Sequence, residues 1–248
     1  MRTHVFRLRI ASAVALALLA IGSIEVLRPT PSDAARSASA PVPRHDRFSG
    51  IARVVDGDTI DVGTTRVRLE GIDAPESGQT CHRRFIGSWA CGNSATDHLR
   101  KLVEGRTVEC DNRGSDKFGR VLGVCYAGGV DINATMVREG LAWAFVRYSS
   151  TYVAVEQEAR AARRGIWTAD NTPAWDYRRN AWDVADDRAP KGCAIKGNAG
   201  RNGLIYHMPW SPWYDRVRMD GAGTGSGKRW FCTEAEAIAA GYRAAQIN

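Results

Sequence analysis

The sequence predicts an α+β fold, mainly β: a small five-stranded barrel with three helices packed on it, followed by a small disulfide-stapled C-terminal module. Three observations carry this expectation. Short runs of alternating apolar and polar residues recur from about Ser49, punctuated by Asp-Gly and Gly turns. Stretches with helix-capping residues at one end and glycine at the other fall between and after those runs. Two cysteines, Cys193 and Cys232, bracket most of a separate segment near the C-terminus.

Taken in order, residues 51–55 read as a strand, and Asp56-Gly57 supplies the turn that follows it. Thr59–Val62 and Thr65–Leu69 alternate in the same way around Gly63, so the domain starts as a three-stranded meander. Asn93 or Ser94 is placed to cap a helix that runs through Leu99 and Val103 and stops at Gly105. Residues 107–110 and 121–126 form a second antiparallel pair. Asp131 caps a short helix ending at Gly140, and Thr151 caps another that carries Val155, Ala159 and Ala162 before Gly165. Five short strands with three helices is the pattern of an oligonucleotide-binding (OB) barrel. Residues 175–190, polar and acid-bearing, read as a linker. The segment after it is too short to hold much core, so a disulfide would help to stabilise it. The expected organisation is a leader with linker over 1–40, the barrel domain over 49–180 and the module over 190–248.

Hydrophobic residues make up 44% and charged residues 25% of the 248 positions, a balance that excludes polytopic membrane, collagen-like and fully disordered chains. The net charge of +7 is unevenly placed. Residues 1–40 carry five arginines against two acids, residues 41–189 carry 21 bases against 21 acids, and residues 190–248 carry eight bases against four acids. The barrel is therefore neutral, and a basic overall balance says little about its own partner.

Arg2, Arg7 and Arg9 precede an uncharged, mostly apolar stretch over 10–24, the pattern of a secretory signal and too short for a full transmembrane span. Small-residue cleavage sites lie near 33–35 and 38–40, with an uncleaved N-terminal membrane anchor as the alternative. The expected location is periplasmic or secreted, or anchored to the inner membrane by that segment. In such a compartment the even set Cys81, Cys91, Cys110, Cys125, Cys193 and Cys232 reads as disulfides. Locality favours Cys81–Cys91, Cys110–Cys125 and Cys193–Cys232. The rival, a metal site of Cys193, His207 and Cys232, lacks paired Cys-x-x-Cys spacing.

Four stretches carry chemistry. D-G-D-T over 56–59 places two carboxylates at a turn, and R-L-E-G-I-D-A-P-E over 68–76 runs a strand bearing Arg68 into a loop bearing Asp73 and Glu76. D-K-F-G-R over 116–120 sets Lys117 and Arg120 around a glycine turn, and Arg147-Tyr148 follows an apolar run. Each alone is ordinary turn or surface chemistry. Together, carboxylates and two arginines are what metal-assisted phosphodiester cleavage requires.

The first three motifs, in this order, closely resemble the thermonuclease (staphylococcal nuclease-like) family over roughly residues 49–167. The resemblance implies the same OB barrel with three helices and a Ca2+-dependent nuclease acting on DNA or RNA and leaving 3′-phosphate ends. It implies that Asp58 and Asp73 ligate the Ca2+ ion, with the backbone carbonyl of Ala74 where the family often has threonine. It implies that Glu76 serves as base or water-positioner and that Arg68 and Arg120 clamp the phosphate. Lys117 matches the family as a substrate-binding residue, and Phe118 replaces a tyrosine of the family; Tyr148, outside the matched motifs, is read as a stacking or hydrogen-bonding surface for a base. The loop over 77–92 looks rearranged beside the site. No protein partner is expected, and the chain is read as a monomer. A non-cutting nucleic-acid-binding barrel and a cell-envelope adaptor are the rival readings. For the C-terminal module, Tyr206, Trp213, Trp230 and Phe231 either form its core or, with interleaved cations, stack on single-stranded nucleic acid.

Overall fold

The computed structural model describes residues 46–85, 87–223, 225 and 227–245, so the leader expected over 1–40 lies outside the described residues. Five strands make the barrel: β1 (Arg47–Val54), β2 (Thr59–Val62), β3 (Thr65–Leu69), β4 (Thr107–Ser115) and β5 (Val121–Ala127). β2 pairs antiparallel with β1 and β3, β4 pairs antiparallel with β1 and β5, and a parallel β3–β5 pairing closes the ring with Arg68 opposite Leu122. The alternation that marked the strands points Ala52, Val54, Ile60, Val62, Val67, Leu69 and Val108 inward, where all are buried. β1 and β4 are longer than the sequence pattern indicates. Arg47 pairs with Asp111 across them, and its Nε donates to that carboxylate at 2.7 Å, an extension held by charge rather than by apolar alternation. Cys110 and Cys125 lie directly opposite on β4 and β5 and are disulfide-bonded, as are Cys81–Cys91 and Cys193–Cys232.

Helix α1 (Cys91–Val103) covers one end of the barrel with Ala95, Leu99 and Val103 buried. It begins before the expected caps. The Ser94 hydroxyl donates back to the Ala90 carbonyl at 2.9 Å, and the helix start is fixed instead by the Cys81–Cys91 disulfide. Asp131 caps α2 (Ile132–Arg138) as expected, accepting from the Ala134 amide. At α3 (Val153–Ala161) Tyr152 takes the cap position in place of Thr151, whose hydroxyl is paired with Ser149. Tyr152 is buried, and its hydroxyl donates to Asp131 Oδ2 at 3.2 Å, so packing decides where this helix starts.

The expected linker over 175–190 is mostly a fourth helix, α4 (Ala174–Asp186). Its face toward the protein carries Ala174, Arg178, Ala181, Trp182 and Ala185, all buried or half-buried at helical spacing. Trp175 stacks on Phe145 at 5.5 Å and meets Trp143 edge-on at 6.2 Å, which fixes the first turn.

The C-terminal module is a small sheet of β6 (Ile195–Gly200), β7 (Gly203–His207) and β8 (Arg229–Phe231) with helix α5 (Glu234–Ala239). β6 is central, and residues 243–244 add a short parallel edge to β7. Its core is Ile195, Tyr206, Phe231, Ala237 and Tyr242. Of the four aromatics weighed for that role, Tyr206 and Phe231 are buried, Trp230 is half-buried, and Trp213 remains 37% exposed. Trp182 of α4 packs on this core as well, so the helix belongs to both parts.

Candidate active site

The site starts at the β1–β2 turn. The amides of Val55 and Asp56 donate to the Thr59 carbonyl, and the Asp58 amide donates to Asp56 Oδ1 at 3.1 Å, which turns Asp58 inward. Gly57 is required there by space, because a Cβ would sit 2.8 Å from the Ala74 side chain. The 72–73 segment pairs with 143–144, and this fixes the Asp73 backbone where β3 has ended. Asp58 and Asp73 are both buried, and Asp73 is 0% exposed.

Arg68 of β3 joins the two acids. Its Nη1 donates to Asp58 Oδ1 at 2.7 Å and its Nη2 to Asp73 Oδ1 at 2.8 Å. The remaining Asp58 oxygen accepts from the Ala74 amide at 3.1 Å. Burial works against a charge on Asp58, but the Arg68 guanidinium and that amide outweigh it and hold the carboxyl below its ordinary value. Asp56 shifts the other way, pushed up to about 6 by burial and by the neighbouring Asp58 charge.

Glu76 lies on a loop pinned by Gln79. The Glu76 amide donates to Gln79 Oε1, and Gln79 Nε2 donates to the Thr172 carbonyl at 2.7 Å, just ahead of α4. Gly92 allows α1 to pass the Glu76 carbonyl, which a Cβ would overlap at 1.7 Å. Burial pushes the Glu76 carboxyl up to about 7, a shift that Arg178 partly opposes. Arg178 Nη1 donates to Glu76 Oε1 at 2.7 Å and to Asp73 Oδ1 at 3.0 Å, while its Nη2 donates to Asp73 Oδ2 at 2.7 Å. Sequence reasoning missed this third arginine by reading its helix as a linker. The available signal was a cation on the apolar stripe of 174, 181, 182 and 185.

These groups open into a cleft of about 630 Å³. Lys117, Phe118 and Arg120 line it from the 116–120 turn, where Asp116 accepts from the Phe118 and Arg120 amides and from Arg120 Nε at 2.7 Å. Tyr148 lines it too, 67% exposed, with its ring 5.1 Å from Phe145. Apart from the exposed Arg147, the sequence-nominated residues of the barrel site therefore face one cavity or the carboxylate pair at its base. The 77–92 loop forms a hairpin of Cys81–Arg83 and Gly87–Trp89 beside it. The C-terminal module supplies the opposite wall through Tyr206, Met208, Trp210 and Pro212.

The donor chemistry fits a hard divalent cation. Asp58 and Asp73 offer buried carboxylate oxygens within the span of one guanidinium, and carboxylates, carbonyls and water are the ligands Ca2+ takes. Among the described residues no three His, Cys, Asp or Glu side chains form a ready-made cluster. Two carboxylates with a carbonyl and waters would have to hold the ion. The rival site of Cys193, His207 and Cys232 is ruled out by the Cys193–Cys232 disulfide.

The family model described as staphylococcal nuclease homologue matches residues 66–169, and a second model, ArfC, matches residues 177–244. An uncharacterized endonuclease of Escherichia coli is 39% identical over 148 residues, covering 56% of this chain and 90% of that protein. A micrococcal nuclease of Shigella flexneri is 41% identical over 157 residues, covering 56% of this chain and 84% of that one. The staphylococcal-like nuclease CAN1 of Arabidopsis thaliana is 35% identical over 118 residues, 46% of this chain and 33% of its own. With the closed OB barrel and the acid–arginine cleft in place, these similarities show that the chain belongs to the staphylococcal nuclease homologue family.

Proposed function

We propose that the protein is a Ca2+-dependent nuclease that works outside the cytoplasm, hydrolysing phosphodiester bonds of DNA or RNA and leaving 3′-phosphate ends. The coarser statement, a hydrolase of the nuclease type, follows from the family. The observation that carries the finer one is the convergence of Asp58, Asp73, Arg68 and Glu76 at the base of a cleft that Lys117 and Arg120 also line. Three disulfides fit an oxidising compartment, and the leader read from the sequence provides the route to it. Among the described residues no helix is long and apolar enough to cross a membrane.

In this reading Asp58, Asp73 and the Ala74 carbonyl would hold the Ca2+ ion, which when bound would supply positive charge to the phosphate undergoing attack. Arg68 and Arg120 present planar guanidiniums to the oxygens on which charge develops, a task for which one ammonium is a poorer match. Glu76, pushed up to about 7, is a base poised near neutrality. It takes a proton from the attacking water, whose oxygen bonds to phosphorus. The bond from phosphorus to the 5′ oxygen then breaks, and the leaving oxygen takes a proton from solvent. Lys117 steers the backbone, and Tyr148 and Phe118 offer ring surface to a base.

The reading is tested by assaying the purified protein on single-stranded DNA in Ca2+ and in EGTA, beside Asp73→Asn. Cleavage in Ca2+ alone, lost in the variant, is expected. Equal cleavage in EGTA would overturn the calcium role, and binding without cleavage in either condition would favour the non-cutting barrel.

A further inference from the structure

α4 enters the site from outside the barrel and places Arg178 on the carboxylates assigned to the metal and to the base. Asp73 is fully buried, and a buried carboxylate with an unpaired oxygen is strongly disfavoured. Arg68 satisfies only Oδ1; among the described residues Oδ2 accepts from Arg178 Nη2 alone. Arg178 also spans to Glu76, so one guanidinium bridges the two acids of the 73–76 loop. The helix that delivers it is held at both ends. Trp175 packs on Phe145 and Trp143, and Asn171 Nδ2 donates to the His82 carbonyl, while Trp182 and Ala185 pack against Ala194 and Tyr214 of the C-terminal module. Arg178 is therefore delivered by a fixed scaffold, and its own long side chain is 22% exposed.

We infer that Arg178 is the resident counter-ion of the metal site: it occupies Asp73 when no ion is bound and must release it when one binds, so that α4 sets the metal affinity of the nuclease. This rests on the assignment of Asp73 as a metal ligand made above. Arg178 is a positioning residue here, acting through Asp73 and Glu76. Displacing it gives up charge-assisted hydrogen bonds to a buried carboxylate, and the metal must make good that loss before it shows net affinity. Removing this guanidinium lessens the competition, leaving Arg68 on Asp73 Oδ1.

Calorimetric titration of the full protein with Ca2+ alone tests this, using wild type, Arg178→Met, Arg178→Lys and Arg179→Met. Arg179 lies on the outer face of the same helix, paired with Asp176, and serves as the control. Arg178→Met is expected to bind Ca2+ about tenfold more tightly or better, the loss of one or more charge-assisted hydrogen bonds. Arg178→Lys, which keeps the charge without the fork, should fall between it and wild type, and Arg179→Met should match wild type. Unchanged or weaker binding by Arg178→Met would overturn the inference. If that variant does not fold in EGTA, the inference requires Ca2+ to restore its melting transition, and failure to do so would overturn it equally. Absence of Ca2+ binding by wild type, with Arg178→Met also silent, would instead sink the metal assignment on which it rests.

Discussion

Asp56 is the carboxylate at the β1–β2 turn that contacts neither arginine directly. It accepts from the Asp58 amide and the Thr59 hydroxyl, but burial with the adjacent Asp58 charge outweighs these and lifts it from 3.8 to about 6. The folded chain therefore keeps this proton over a range in which the unfolded chain has released it. The associated stability is complete below about pH 4 and is lost as pH rises through about 6. In EGTA, Asp56→Asn should gain on wild type across that window by about 3 kcal/mol and hold a constant difference above about pH 7. Urea unfolding midpoints at several pH values check this, and a difference that does not vary with pH would contradict it. Gly57→Ala should lower stability and cleavage together, because the new methyl meets the Ala74 side chain at 2.8 Å beside the Asp58 turn. These turn residues were legible in the sequence because each sits in a short motif whose chemistry is local. Arg178 was not, since its partners lie 102 and 105 positions earlier and no local pattern marks the pairing.

At the scale of elements, the barrel strands announce themselves through alternation, while α4 hides. Its inward face is built from alanines and half-buried tryptophans around an arginine, and the segment as a whole is polar, so it reads as a linker although its apolar residues fall at helical spacing. The starts of α1 and α3 escaped for a related reason: a disulfide and a buried tyrosine set them, not a side-chain cap. If α4 is seated chiefly by its first turn, Trp175→Ala should cost about 2 kcal/mol of stability through lost contact with Phe145 and Trp143. It should also loosen Arg178 and tighten Ca2+ binding, in the same direction as removing Arg178. A thermal melt in EGTA and a Ca2+ titration read the two effects separately. A Trp175→Ala protein with wild-type stability would mean that the module, not the barrel, positions this helix.

The whole molecule is a nuclease barrel with a second unit fitted to its cleft. The module's surplus of four positive charges invites the expectation that it grips phosphates. Its cleft-lining residues instead include Tyr206, Met208, Trp210, Pro212 and Glu234, with no lysine or arginine among the lining residues after α4. Deleting residues 190–248 while keeping α4 should therefore weaken binding of single-stranded DNA but leave its salt dependence unchanged. A shallower salt slope would return the phosphate-gripping role to the module. A cut inside α4, at Trp182, would also remove the last turn of the helix that carries Arg178 and is the wrong place to separate the two. The most direct test of the account is cleavage of single-stranded DNA in Ca2+ by wild type and Glu76→Gln, with end-group analysis of the products. We predict 3′-phosphate ends and a fall in kcat of about 100-fold or more in the variant. Wild-type turnover by Glu76→Gln, or 5′-phosphate ends, would contradict it.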